Sequence, residues 1–187
     1  MYKVAFKKSM WLALLLFVTG GLELPGAQAE DVAPAVAAAT LPGGATSLQE
    51  TFSDWQATCV MQGSVKQCAV TQEQVNPQSR QRVFAIQISN ASDKLEGVLV
   101  MPFGLALDRG VILQIDDQPA ESALKFRTCL PGGCVVPFSL DAKTAASLRT
   151  GTKLKIQATA DGGQEQAYSI LLKGLPQAID RISALSK

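Results

Sequence analysis

The 187-residue chain contains no histidine. Histidine is the commonest general base and metal ligand near neutral pH, so its absence excludes a Ser-His-Asp or Cys-His catalytic unit and any His-containing zinc site. Enzymes that use only carboxylates, lysine or tyrosine stay open. Asp116-Asp117, followed by Gln118-Pro119, reads instead as turn chemistry. An excess of charge of either sign is also missing, with 17 Lys and Arg against 16 Asp and Glu. Nucleic-acid binding calls for a basic patch or stripe, and here the basic residues are scattered. Lys153 and Lys155 alternate with Leu154 and Ile156, as on a solvated strand face, so no nucleic acid is expected as a partner. Beyond the N-terminal stretch no run approaches the ~20 apolar residues that span a bilayer, and no cofactor-binding motif is present.

The N-terminal stretch is distinctive. MYKVAFKKSM carries Lys3, Lys7 and Lys8 without an acid, the apolar run MWLALLLFV follows over 10–18, and Ala27-Gln28-Ala29 closes the segment. A basic start, a short apolar run and an A-x-A ending are the three parts of a secretory signal peptide, expected here over residues 1–29. The run is too short for a membrane helix. No cysteine stands at the cleavage point to carry a lipid, and no twin arginine precedes the run. The expected product is an unlipidated protein exported unfolded to the periplasm, associated with the outer membrane there or secreted onward. Cleavage leaves 158 residues with 14 basic and 15 acidic side chains, a formal charge of −1.

A chain of about 150 residues can bury one self-sufficient core. Residues 30–49 (EDVAPAVAAATLPGGATSLQ) are rich in Ala, Pro and Gly and have no aromatic, so they read as a flexible leader. Residues 50–187 then form a single β-rich domain. Period-two alternation, the mark of a strand with one buried face, recurs in several places: Trp55, Ala57 and Cys59; Cys68 and Val70; Phe84, Ile86 and Ile88; Val111, Leu113 and Ile115; Leu154, Ile156 and Ala158. Gly97–Met101 is a continuous apolar run closed by Pro102, as expected of a strand buried on both faces. Asp161-Gly162-Gly163 joins two alternating runs, 153–159 and 166–172, as a hairpin. Asn90-Ala91-Ser92-Asp93 and Asp108-Arg109-Gly110 are further turn signals.

Two helices are expected. Asp141 can cap one over 142–149 that stops near Gly151. The other follows Gly174, with Leu175, Ile179, Ile182 and Leu185 at helical spacing and Pro176 in its first turn. The fold class is therefore all-β: an antiparallel sandwich or barrel-like domain with one or two short helices, including a C-terminal one.

Four cysteines in an exported chain form an even set, and oxidising compartments favour disulfides. Four allow three pairings. Cys59 and Cys68 flank one expected hairpin loop, and Cys129 and Cys134 flank Leu130-Pro131-Gly132-Gly133. Each pair can close across its own turn, so 59–68 with 129–134 is the expected connectivity. A redox couple at 129–134 lacks the C-x-x-C spacing at a helix N-terminus that lowers a thiol pKa. A four-cysteine zinc site would ordinarily use tighter knuckles. No metal or cofactor is expected.

The order of these pieces resembles the invasion-associated locus B (IalB) family of exported alphaproteobacterial proteins. The resemblance rests on Asp54-Trp55 with Cys59 and Cys68; Pro102-Phe103-Gly104-Leu105 with Asp108-Arg109-Gly110-Val111; and Asp116. It continues in Phe126-Arg127-Thr128-Cys129 with Gly133-Cys134, in Leu148 and Gly151, and in Ser169-Ile170-Leu171-Leu172-Lys173-Gly174-Leu175 with Ala178. It spans roughly residues 50–183. Leu175 stands where the family's closing segment has an aromatic. The resemblance implies a small β-rich envelope or secreted protein named for a role in host-cell entry, and it supplies no catalytic residues.

The reading is a non-enzymatic, disulfide-stapled protein that acts by contact with an envelope or host protein. A periplasmic small-ligand carrier is the main alternative, using the interior or the loops around Met101–Gly104, and a thiol-disulfide oxidoreductase is the third. Phe103, between Pro102 and Gly104 in a turn, is the candidate contact residue. Trp55, on an alternating strand, is expected in the core.

Overall fold

The computed structural model describes residues 40–187 apart from 92 and 93. The expected signal peptide, 1–29, and the leader up to 39 lie outside the described residues, as does the centre of the turn expected at 90–93. Ten strands follow in order: β1 (Ser47–Phe52), β2 (Trp55–Gln62), β3 (Val65–Val75), β4 (Arg82–Ala91), β5 (Lys94–Met101), β6 (Val111–Ile115), β7 (Thr128–Leu130), β8 (Gly133–Leu140), β9 (Lys153–Thr159) and β10 (Glu165–Leu171). Helix α1 (Ala142–Thr150) lies between β8 and β9, and α2 (Leu175–Ser186) ends the chain.

Every strand pairing is antiparallel. A seven-stranded sheet has the order β1-β2-β3-β4-β5-β8-β7, and a three-stranded sheet the order β10-β9-β6. The fold class read from the sequence is thus observed, with the sandwich as the form it takes. The alternating residues supply the inner faces: Trp55, Ala57 and Cys59 on β2; Phe84, Ile86 and Ile88 on β4; Val111, Leu113 and Ile115 on β6; Leu154, Ile156 and Ala158 on β9. They belong to one hydrophobic cluster. Each fully buried Leu or Ile in it contributes roughly 1.5–3 kcal/mol of transfer free energy.

Both expected helices are present. The Asp141 carboxylate accepts the Thr144 N–H at 2.7 Å, satisfying one of the free donors at the start of α1, and α1 stops before Gly151. In α2, Leu175, Ala178, Ile179, Ile182 and Leu185 are buried. That face packs on β2 and β3 and touches β1 and β4, so the helix seals the part of the large sheet that three strands cannot cover. Trp55 is fully buried, and its Nε1–H donates to the Leu171 carbonyl at 3.0 Å, tying β2 to the end of β10.

Two expectations need correcting. Strand structure begins at Ser47, and Leu41, at 2% exposure, sits in the core. The last part of the stretch read as a flexible leader is therefore folded, because Leu41 brings apolar surface that the Ala- and Gly-rich composition around it concealed. Nor is the 97–101 run buried on both faces. Leu99 and Met101 point into the core, while Val98 and Val100 are half-buried on the other face. This strand sits in an antiparallel sheet whose outer side meets solvent, and such sheets bury one face. Gly97 lies opposite Phe138, and a Cβ there would collide with the Phe138 ring and the Gln87 carbonyl.

Candidate contact surface

One end of the sandwich collects the turn that follows β5, the β7–β8 hairpin tip, the β3–β4 turn and the β9–β10 tip. Met101, at the end of β5, pairs with Cys134, and Leu130 pairs with Gly133. Phe103 and Leu130 therefore leave the sheet at the same end. Val75 pairs with Arg82 where β3 meets β4, and Arg82 reaches across to this hairpin. Its guanidinium donates to the Gly132 carbonyl at 2.5 Å and pairs with Glu73 at 3.2 Å. The apolar side chains here face solvent, with Phe103 61%, Val75 55%, Leu130 53% and Leu107 48% exposed.

The loops that carry these side chains are held by hydrogen bonds. Ala106 N–H donates to the Thr159 carbonyl and Asp161 N–H to the Gly104 carbonyl, both within 2.9 Å. Leu105 is buried and anchors the stretch between Phe103 and Leu107. At the hairpin tip Gly133 has φ +133°, and a Cβ there would lie 2.6 Å from the Met101 carbonyl. Only glycine permits this backbone and this approach. In the β3–β4 turn the Asn76 side-chain oxygen accepts from Gln78 N–H and Ser79 N–H at 2.9 and 3.0 Å.

The cysteines close two hairpins. Cys59 on β2 is joined to Cys68 directly opposite on β3, with 4.0 Å between Cα atoms. Cys129 on β7 is joined to Cys134 on β8, with 3.9 Å. Two strands separate the bridges in the sheet order. At ~4.8 Å per strand step that is ~14 Å, so the four sulfurs cannot converge on one ion. Both pairs stand on β-strands, away from any helix N-terminus, so the helix-end setting that lowers a thioredoxin-type thiol pKa is missing.

Asp116 and Asp117 have structural roles. Asp116 carboxylate oxygens accept the Thr152 and Lys153 N–H groups at 3.0 and 2.9 Å, fixing the start of β9, and Asp117 pairs with Lys155 at 3.0 Å. The interior gap lined by Ile86, Leu113, Leu140, Leu148 and Leu154 measures about 10 Å³. A gap of that size accommodates one water at most.

The sequence pattern described as Invasion associated locus B (IalB) protein matches residues 55–183. The chain belongs to the IalB family. An Invasion protein B homolog of Brucella abortus is 47% identical over 152 residues, covering 80% of this chain and 87% of the relative. Invasion protein B of Bartonella bacilliformis is 34% identical over 165 residues, covering 85% and 89%. The crystal structure of invasion associated protein b from Bartonella henselae superposes with a TM-score of 0.69 at 32% identity, covering 74% of this chain and 96% of that one. These IalB relatives are named as invasion proteins, and together with the two disulfides they are consistent with an extracytoplasmic location.

Of the residues singled out in the sequence, the structure brings Phe103 and the 129–134 pair to one end and leaves Cys59 and Cys68 on the β2–β3 hairpin. Leu130, Val75, Leu107 and Arg82 complete the end and were not singled out. Leu130 had a local signal, an apolar residue at the apex of a cysteine-closed turn. Arg82 had none, because its partner Gly132 lies 50 positions away.

Proposed function

We propose that this IalB-family protein is exported through cleavage of residues 1–29 and acts outside the cytoplasm, in the periplasm or at the outer membrane, as a single non-enzymatic domain that works by protein contact. The observation that carries the reading is the braced end at which Phe103 is exposed to solvent. Side chains held outward on rigid loops cost little entropy to dock, and aromatic residues such as Phe103 are enriched at protein interfaces. An envelope protein or a host surface protein is the partner. The invasion names of the relatives favour a role in host entry, with an envelope accessory role as the same contact made within the bacterium.

A photo-crosslinking amino acid at Phe103 tests this in intact cells, with the same probe at Val65 as the comparison, since Val65 is equally exposed but lies at the β2–β3 turn. The expected result is one discrete adduct from position 103, identified by mass spectrometry, that disappears with Leu130→Asp. Equal adducts from both positions, or robust turnover in hydrolase and thiol-exchange assays, would overturn the reading.

A further inference from the structure

The three-stranded sheet has one closed edge and one open edge. Along β6 the chain returns on itself: Val111 N–H donates to the Leu124 carbonyl, Leu124 N–H to Val111, and Glu121 N–H to Leu113. Along β10 no described segment does so. The direction of each β10 backbone group follows from the two ends of its ladder. Ala160 N–H donates to the Gln164 carbonyl at 2.8 Å and Leu172 N–H to the Thr152 carbonyl at 2.9 Å, and the register between them is unbroken. In an antiparallel ladder the N–H and C=O of one residue point to the same side, alternating along the strand. The even positions thus bond β9, and Glu165, Ala167, Ser169 and Leu171 point away from it. The Leu171 carbonyl accepts from Trp55. The outward groups of Glu165, Ala167 and Ser169 meet no bonding partner among the described residues, and all three residues are exposed.

Natural edges are usually blunted by proline, charged side chains, a bulge or shortness. β7 is blunted by its three residues. β10 (EQAYSIL) has seven residues, no proline and no bulge, and its single charge, Glu165, stands at its first position. β1 is also an edge, but of a sheet that already has seven strands, whereas β10 borders one of three, below the usual four to six.

We propose that β10 is a self-association edge, pairing antiparallel with β10 of a second copy about a two-fold axis through Ala167 and joining two three-stranded sheets into one. This register uses each free group and avoids the occupied one. Ala167 exchanges both bonds with the partner's Ala167, Glu165 exchanges both with the partner's Ser169, and Leu171 is left to Trp55. The only charged side chain on the strand, Glu165, meets the hydroxyl of the partner's Ser169, where its carboxylate accepts a hydrogen bond. Like charges placed directly opposite would destabilise the pair, and this register places none. The small Ala167 side chains at the axis let the strands approach without obstruction. A backbone-only interface of this extent is small, so reversible association is expected.

Sedimentation velocity over a concentration series of the exported, disulfide-intact protein tests the proposal. The expected result is a monomer–dimer equilibrium. Ala167→Pro removes the outward N–H and leaves the β9 ladder intact, a position where edge strands tolerate proline. It should weaken the dimer at least about tenfold with unchanged far-UV circular dichroism. Ala167→Lys keeps the N–H, sets two ammonium groups face to face at the axis, and should weaken it comparably, so the test survives if the proline variant fails to fold. Gln49→Pro, at an outward position of β1, should leave the dimer unchanged. A protein that stays monomeric at hundreds of micromolar, a dimer that survives the Ala167 substitutions in folded protein, or one that Gln49→Pro breaks would refute it.

Discussion

Removing the Cys129–Cys134 bridge should loosen the contact end much more than its cost in global stability suggests. The perturbation is Cys129→Ala with Cys134→Ala, compared with Cys59→Ala with Cys68→Ala. The bridges close loops with sequence separations of 5 and 9. The chain-entropy relation gives about 2 kcal/mol for the first and about 2.6 kcal/mol for the second. By that measure the β2–β3 bridge matters slightly more. The native ladders differ in the opposite sense. β2 and β3 share a run of paired residues from Gln56–Thr71 to Gln62–Val65, lie inside the sheet and are covered by α2. β7 has three paired residues, all exposed, at the sheet edge. A ladder of three pairs is too short to hold itself, so without the sulfur link β7 should fray and release Leu130.

Urea unfolding measures the global term, and hydrogen exchange followed by mass spectrometry measures the local one. Both double variants should lose about 2–3 kcal/mol in urea. Only the 129–134 variant should also lose amide protection across 127–135, because local opening there no longer needs global unfolding. If those amides exchange at the parental rate, the hydrogen bond from Arg82 and the packing of Gly133 on Met101 hold the tip unaided, and the bridge does not organise the surface.

Three further outcomes follow from particular side chains. Gln72 is 4% exposed and its side-chain oxygen accepts no hydrogen bond, so Gln72→Met should stabilise the protein by about 1–2 kcal/mol; a lower melting temperature would show that the oxygen has a partner. Gly97→Ala should destabilise by about 1–3 kcal/mol or more, since the Phe138 ring and the Gln87 carbonyl must both yield; unchanged urea unfolding would contradict this. Arg181, through its bidentate hydrogen bonds at 2.7 Å and then its charge, holds the Glu50 carboxyl below its ordinary value of 4.5. A lowered folded pKa contributes stability that is present above the unfolded value and fades as pH falls through the folded one. The melting-temperature gap between parent and Glu50→Gln should therefore be constant near neutrality and close in acid; a gap independent of pH would remove the ion pair from the account.

The legible parts of the fold share one property: their signal is repeated within a few residues. Phe84, Ile86 and Ile88 announce an inward face by alternation alone, Asp141 announces a helix that starts at the next residue, and the Gly162-Gly163 hairpin lies between two matching alternations. β1 was hidden because SLQETF buries no side chain fully and its pattern of exposed and half-buried residues resembles a polar linker. The 97–101 run misleads because a stretch of Gly, Val and Leu is compatible with burial on one face or two, and only the neighbours decide. How the ten strands divide between two sheets was equally out of reach, since pairing β5 with β8 joins Leu95 to Leu140 and nothing local marks that partnership.

The contact end is the extreme case of the same limit. Phe103 was visible because an aromatic between proline and glycine is odd on its face. Val75, Leu107 and Leu130 were not, because they reach the same end only after three separate loops are brought together. The bracing explains why these residues can remain apolar and exposed. A mobile loop carrying Phe103 or Leu130 would lower its free energy by folding that side chain inward. A loop tied by Arg82 to Gly132, by Asp161 to Gly104 and by a disulfide lacks that freedom. Exposure here is thus imposed by geometry that other residues enforce, which ties the outward face of Phe103 to the integrity of the staple beneath it.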